Sequence, residues 1–534
     1  MKHTYKIIFL TLVVLHLSTT LKAQGNTWTL VNGIGTDTSS PLPVYGIKGK
    51  PSLTNNPGGK EGSANWLDAN NNLWLYGGYG YVDNNNSAPG CEGDLWKYNI
   101  NLNEWTWVNG NDTLNKLGNY GTKGMPADTT VPPSKTGSGN WIDNEGNLWL
   151  FGGTFAYPSY CNDLWKYNIS ANQWTWVSGD SSLNQKGIYG IKGVGAVTNT
   201  PGARSEPACW TDKAGLFWLF GGFGYDNSGN VGNLNDLWQY NSSANQWTWV
   251  SGDSLTKQAA NYGKLGKSSA ANVPDARVTA ANWIDATGNL WFFGGLKNSN
   301  IFGFSNDLWN YNISTNEWTW MYGSDTIKQS GNYGTQGVAA TTNIPGARET
   351  SAYWTDAKGD FWLFGGQGYD SEGALGLLND LWKYSVDSAQ WIWVGGSDQI
   401  NPASVNNYPI GRVQAACWTD SSGSFWMFGG GLTIGVANSL WKYIPDTTAS
   451  ATAAINPITT TSFTVYPNPG NGAFTVDLPE AAQVSVYGTL GDLIVTETLP
   501  KGKQPLNLTN KPAGVYYLKA NSNNSQQVVK FIIE

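Results

Sequence analysis

The chain has 534 residues, of which only 13% are charged, together with 66 Gly and 29 Trp. So little charge beside so much Gly and Trp argues against a disordered, coiled-coil or collagen-like chain. The formal charge of −7, with no basic cluster, argues against a nucleic-acid partner.

Lys2 and Lys6 precede an apolar run over residues 7–17, and Ala23 follows at a cleavable position. A charged start, a short apolar stretch and a small residue predict a signal peptide over 1–23. Eleven residues are too few to cross a bilayer as a helix, and no later stretch is long and apolar enough, so no transmembrane segment is expected. His3 and His16 are the only histidines, and both leave with this segment. That removes His triads, His general bases and His metal centres from the mature protein.

Residues 26–33 (NTWTLVNG) look like one strand standing alone. From residue 60 onward the chain repeats itself with a period near seventy residues, marked by Gly-Gly pairs starting at Gly77, Gly152, Gly221, Gly294, Gly365 and Gly429. Each unit holds four strand-like runs, a to d, which in the third unit are 204–212, 216–222, 236–241 and 246–252. An Asp-x-x-Gly turn joins a to b and a short Ser/Asn/Ala turn joins c to d, both hairpin chemistry. The sixth unit lacks strand d, and the lone strand 26–33 has the missing sequence. The fold class expected is therefore all-β: a six-bladed β-propeller over 24–443, closed by the N-terminal strand, which removes two exposed edges. All 29 Trp fall at recurrent strand positions, which predicts packing between blades rather than a sugar platform.

The run Leu148-Trp-Leu-Phe-Gly152-Gly153, then Leu164-Trp-Lys-Tyr167, then Trp174, resembles the kelch repeat, and all six units match through Gly-Gly and the Tyr. The resemblance implies a galactose-oxidase-like propeller, a fold used by enzymes and by binding proteins alike. The copper site of the oxidases needs two His and has no counterpart here, so no cofactor and no metal are expected. One basic residue opens strand a in every unit: Lys60, Lys135, Arg204, Arg277, Arg348 and Arg412. Its six-fold recurrence predicts a structural ring paired with acids such as Asp163 or Asp236. The Ser-x-Asp-x-Gly-x-x-Trp box of sialidases is missing from the c–d turns. No catalytic residue is identified.

Cys209 and Cys417 occupy the same strand-a position in units three and six, opposite each other in a six-fold ring and too far apart for a disulfide. They read as small buried residues. Cys91 and Cys161 lie just before strand c in neighbouring units. Both stand on long loops, where export permits a disulfide between them, with two unpaired thiols as the alternative.

Strand parity puts the short a–b and c–d turns on one face and the long b–c and d–a connections on the other. Five d–a connections share a Tyr-Gly-x-x-Gly core (Tyr45, Tyr120, Tyr189, Tyr262, Tyr333), which predicts ordered loops with packed Tyr. The b–c loops are irregular and hold Tyr81, Asp83, Tyr157, Tyr160, Tyr225, Asp226, Phe304 and Tyr369. Aromatic and acidic groups around a cleft suit a carbohydrate or a peptide with basic residues, so these eight are the candidate ligand contacts. Binding of a glycan or an extracellular protein is the function expected, with a sialidase- or epimerase-like carbohydrate enzyme as the alternative.

Residues 444–462 are rich in Thr, Ala and Pro and read as a linker. Seven short alternating runs without Trp follow in 463–534, which suggests a small immunoglobulin-like β-sandwich. Tyr466-Pro467-Asn468-Pro469 with Gly472 and Phe474, then Val486-Tyr487 with Gly491, then Ala513-Gly514-Val515-Tyr516-Tyr517, resemble the C-terminal sorting domain of type IX secretion. The resemblance implies the type IX secretion machinery as a partner, release or display at the cell surface, and removal of this domain on the way. Intact-mass measurement on culture supernatant should therefore find a chain that begins near Gln24 and ends before about Phe463; an attached tail would point to an adhesive module instead.

Overall fold

The computed structural model describes residues 26–34, 40–82, 88–299, 302–402, 408–446, 463–488, 493–521 and 526–534. The expected signal peptide, most of the linker and Asp83 lie outside these residues. Among the described residues every regular element is a β-strand. The chain divides into two compact units, Met1–Ala451 and Thr452–Glu534.

The first unit is built from small antiparallel sheets. In the third repeat Ala208–Thr211, Phe217–Phe220, Leu237–Asn241 and Gln246–Ser251 pair in that order, which sets Trp210 opposite Trp218 and Trp238 opposite Trp249. The hairpin turns follow from side-chain capping of the backbone. Asp212 Oδ1 accepts the amides of Ala214 and Leu216 at 2.9 and 3.0 Å, while its Oδ2 accepts the Trp218 indole N–H at 2.8 Å. The same Asp-to-Trp bond recurs from Asp68, Asp143, Asp285, Asp356 and Asp420. Each strand-b Trp is thereby fixed by its own turn.

In the sixth repeat the sheet order is Thr27–Asn32, Leu440–Ile444, Phe425–Phe428, Ala416–Thr419, with Trp28 opposite Tyr443. Trp28 is buried and its ring meets Trp354, Phe364, Tyr408 and Tyr443 at 5.0–6.3 Å between centroids.

Strands buried on both faces need apolar neighbours on both sides. Six hydrophobic clusters supply them, each shared between one repeat and the next, and the sixth repeat packs on the first. Three strand-a Trp rings lie flat on an aromatic of the following repeat, Trp141 on Phe217, Trp283 on Phe361 and Trp354 on Phe425, at 5.1–5.3 Å and 8–10°. The strands Ala64–Leu67, Gly139–Ile142, Ala208–Thr211, Ala281–Ile284, Ala352–Thr355 and Ala416–Thr419 each touch the next, and the last touches the first. The Gly-Gly pair allows this approach. Gly221 has φ 65°, and a Cβ there would stand 2.7 Å from the Arg277 carbonyl of the following repeat.

The basic ring is buried. Arg204 holds both oxygens of Asp236 at 2.6 and 2.7 Å, and Asp236 also accepts Tyr189 O–H at 2.6 Å and Trp238 N–H at 2.7 Å. Arg348 with Asp380, Arg277 with Asp307, Lys135 with Asp163 and Lys60 with Asp94 repeat the arrangement, each with its Tyr and Trp. In the sixth repeat Arg412 donates to the Gly429 carbonyl and to Ser439 Oγ. The long d–a connections are ordered by the same Tyr and by pairing along the outer strand, as at Ala196 with Trp247 and Ala340 with Trp391. They cover what would be open sheet edges.

The second unit has a three-stranded sheet (Thr464–Tyr466, Ala473–Leu478, Gly502–Asn507) and a four-stranded one (Leu493–Leu499, Ala482–Tyr487, Gly514–Asn521, Gln526–Ile533). Phe474, Val476, Val484, Leu506, Leu518 and Phe531 from both sheets make one core.

Replacing Trp28 with Ala should cost about 3–5 kcal/mol of stability, the range for a buried aromatic truncated in a core. Urea unfolding of the secreted protein measures it. A loss below about 1 kcal/mol would mean that strand Thr27–Asn32 does not hold the sixth repeat.

Candidate functional site

Two residues after each basic residue of the ring, the backbone turns left-handed: Gly62, Gly137, Glu206, Thr279, Thr350 and Gln414 all have φ between 52° and 66°. Their amides form a cycle. Gly137 N–H donates to the Gly62 carbonyl, Glu206 to Gly137, Thr279 to Glu206, Thr350 to Thr279, Gln414 to Thr350, and Gly62 to Gln414, at 2.6–3.3 Å. Every member is thus fixed by both neighbours.

Three residues further along, Asn65, Asn140, Cys209, Asn282, Tyr353 and Cys417 line one cavity together. Asn140 Nδ2 donates to the Asn65 carbonyl, Asn282 to Cys209, Asn65 to Cys417, and Cys417 Sγ to Tyr353. Cys209 and Cys417 are half-buried, lining this cavity on one side and packing against hydrophobic clusters on the other. Burial pushes their thiols up to about 12 and about 11. Cys91 and Cys161 are buried free thiols, both pushed up to about 12 by burial.

Beside the amide cycle opens a cleft of about 360 Å³. Tyr157 (82% exposed) and Phe302 (65% exposed) stand at its rim. Tyr160, Phe223, Val278 and Leu296 contribute to its walls, and Glu206, Glu349, Gln414, Thr279 and Thr350 bring polar groups to it. Two small three-stranded sheets position Phe223, Val278, Leu296 and Phe302: Arg204–Ser205, Phe223–Tyr225 and Val231–Asn233 in one repeat, and Arg277–Val278, Leu296–Asn298 and Phe302–Phe304 in the next. Tyr160 lies on the two-stranded sheet Thr154–Ala156 with Ser159–Tyr160, and Glu349 on Arg348–Glu349. Gln414 Nε2 donates to Glu206 Oε1, and Thr279 Oγ1 donates to Glu349 Oε2 at 2.7 Å.

Burial pushes the Glu206 carboxyl up to about 7, with the negative charges of Glu349 and Glu61 adding to it. Burial raises Glu349 and Glu61 as well. Among the described residues no group of His, Cys, Asp and Glu is arranged to hold a metal ion.

The eight sequence candidates separate. Tyr157 and Tyr160 line the cleft. Tyr160 is buried, however, with its ring 5.6 Å from Phe223 and 6.4 Å from Tyr225 of the next repeat. Phe304 packs on Tyr369 of the next repeat at 6.2 Å. Asp226 is fully buried inside its own turn and accepts the amides of Ser228, Asn230 and Thr256. Those amides hold its carboxyl low despite burial. This corrects its placement as a surface contact, since turn capping consumes both oxygens. Tyr81 is half-buried and is not among the residues lining the cleft. Glu206, Glu349, Gln414 and Phe302 belong to the cleft and were not among the candidates. The signal for three of them was present: residues directly after the ring Arg differ from repeat to repeat.

The second unit can be compared with known proteins. Residues 464–534 match the secretion system C-terminal sorting domain. A sorting domain of this kind marks a protein exported through the type IX system, to the cell surface or the extracellular space, and implies interaction with that machinery. Among the described residues no helix is long and apolar enough to cross a membrane.

A carboxyl raised from its ordinary 4.5 to about 7 favours the folded state while both forms are protonated, and that contribution is lost as pH rises through the folded value. Stability lost between pH 4.5 and 7 should therefore be smaller in Glu206→Gln. The variant should match the parent near pH 4 and exceed it above pH 7.5. Parallel pH profiles in chemical unfolding would contradict the assignment.

Proposed function

We propose that the six sheets are blades of one kelch-type, galactose-oxidase-like β-propeller with Thr27–Asn32 as its closing strand. We propose further that this propeller is an exported binding module for a glycan or a protein, its ligand seated in the cleft between Tyr157 and Phe302. The circuit of packing between successive repeats and the cycle of amides support the architecture. The double left-handed glycines in every repeat support the kelch comparison.

The observation that carries the binding role is the exposure of two large aromatic rings over a polar floor. Among the described residues of the first unit the next most exposed aromatic is Tyr79, at 36%. Exposed rings beside convergent polar groups are what a ligand pocket requires. They also stand on the face where the repeats differ, and discrimination between ligands needs groups that differ.

A carbohydrate-active enzyme is the second reading. It draws on Glu206 and Glu349, two carboxyls in one cleft, one of them raised to about 7, a combination that acid–base chemistry on glycosides can use.

A glycan array and an extracellular-protein pull-down on the mature chain should yield a ligand whose affinity falls by about 1–3 kcal/mol on replacing Tyr157 and Phe302 with Ala, with the fold intact. Unchanged affinity would place the ligand elsewhere. Release of nitrophenol from aryl glycosides, abolished in Glu206→Gln, would favour the enzyme.

A further inference from the structure

We propose that the cleft takes a lysine or arginine side chain presented by an extracellular protein, with the aliphatic stem against its apolar groups and the cationic end against Glu206 and Glu349; this rests on reading the cleft as the binding site. Two properties of the cleft select that ligand. Its lining combines the apolar groups of Phe223, Val278 and Leu296 with the polar groups of Thr154, Ser205, Asn233 and Asn298, and it holds two carboxyls, Glu206 and Glu349. A side chain that is apolar along its stem and charged at its tip can meet both the apolar groups and the carboxyls. A neutral sugar could use the polar groups of the lining but brings no positive charge to the two carboxyls, Glu206 and Glu349.

The second property is charge. No Lys, Arg or His is among the described residues lining the cleft, and the nearby ring residues Arg204 and Arg348 already hold Asp236 and Asp380 in two-point pairs. Glu206 and Glu349 each accept one side-chain hydrogen bond at a single oxygen, from Gln414 and Thr279. The second oxygen of each remains for an ammonium or guanidinium, and such charge-assisted bonds strengthen away from water. The rim adds two ring faces, Tyr157 and Phe302, able to receive a cation in passage.

The left-handed positions agree with this. Gly62 and Gly137 hold that backbone in two repeats, whereas Glu206, Thr279, Thr350 and Gln414 hold it at φ 52–58° in the other four. Glycine would serve the backbone with less strain. All four non-glycine side chains line the cleft.

The test is calorimetric titration of the mature secreted protein at pH 8 with capped Gly-Gly-Xaa-Gly-Gly peptides, Xaa being Arg, Lys, Gln or norleucine, and in parallel with an N,N,N-trimethyl chitosan oligomer, which carries a permanent cation on a sugar. The Arg or Lys peptide should bind at least tenfold tighter than the Gln and norleucine peptides. The double variant Glu206→Gln with Glu349→Gln, of unchanged circular dichroism, should remove that preference. Equal binding of all four peptides, no peptide binding, or a preference that survives the double variant overturns the proposal. So does tighter binding of the chitosan oligomer than of either basic peptide. If a glycan found by array is instead lost on Tyr157→Ala with Phe302→Ala, the cleft remains the binding site and only the cationic ligand fails. If any ligand binds that double Ala variant unchanged, both readings fail.

Discussion

Five of the six repeats hang on a buried carboxylate with more donors than one side chain needs. Asp236 takes two bonds from Arg204, one from Tyr189 and one from Trp238. Those four groups come from the start of strand a, the d–a connection and strand c. Burying a charge pair is costly unless its remaining hydrogen-bonding capacity is met, and here a hydroxyl and an indole meet it. One interaction therefore locks the connection onto strands that the sheet already brings together. The first repeat shows the tolerance of the design: Lys60, a point charge without the Arg fork, faces both Asp94 and Glu92, and burial holds Glu92 well above the usual carboxylate range.

With the frame fixed by repetition, difference has few places to appear. Strand positions are claimed by the aromatic lattice and turn positions by Asp. What is left is the pair of residues after each ring Arg or Lys and the loops that stand above them. Glu206, Glu349 and Gln414 occupy the first kind of place and Tyr157 and Phe302 the second. A cleft can therefore form on one side of a nearly symmetric body without disturbing the packing below it.

Much of this was legible in the sequence, because the repeat multiplies each signal by six. The four-strand pattern, the Asp turns, the pairing of basic residues with Asp163 and Asp236 and the sequence of strand 26–33 could be read from spacing. The loop residues could not be sorted that way. Tyr160, Phe304 and Tyr369 are aromatic because the b–c segments of successive repeats pack on one another, and composition does not distinguish such a ring from an exposed one. Asp226 could have been recognised: Asp226-Asn-Ser-Gly has the spacing of the Asp212 turn, and the same chemistry applies. Cys209 and Cys417 were placed correctly along the strand, but an inward-facing position looks the same in sequence whether it meets only a core or also lines a cavity. Glu206 and Gln414 came together across 208 residues, and no local pattern carries that information.

The pairing of Thr27–Asn32 with Leu440–Ile444 has a temporal meaning. Asn26 Oδ1 accepts the Tyr443 hydroxyl across 417 residues, so the first strand to leave the ribosome has no partner until nearly the last repeat follows it. Closing a loop of that length costs conformational entropy before any contact repays it, and contacts so distant along the chain slow folding. The repeats can assemble in succession while the leading strand waits. The sixth sheet can complete itself only once Leu440–Ile444 is available, so a chain cut short before that strand would leave Thr27–Asn32 without its sheet.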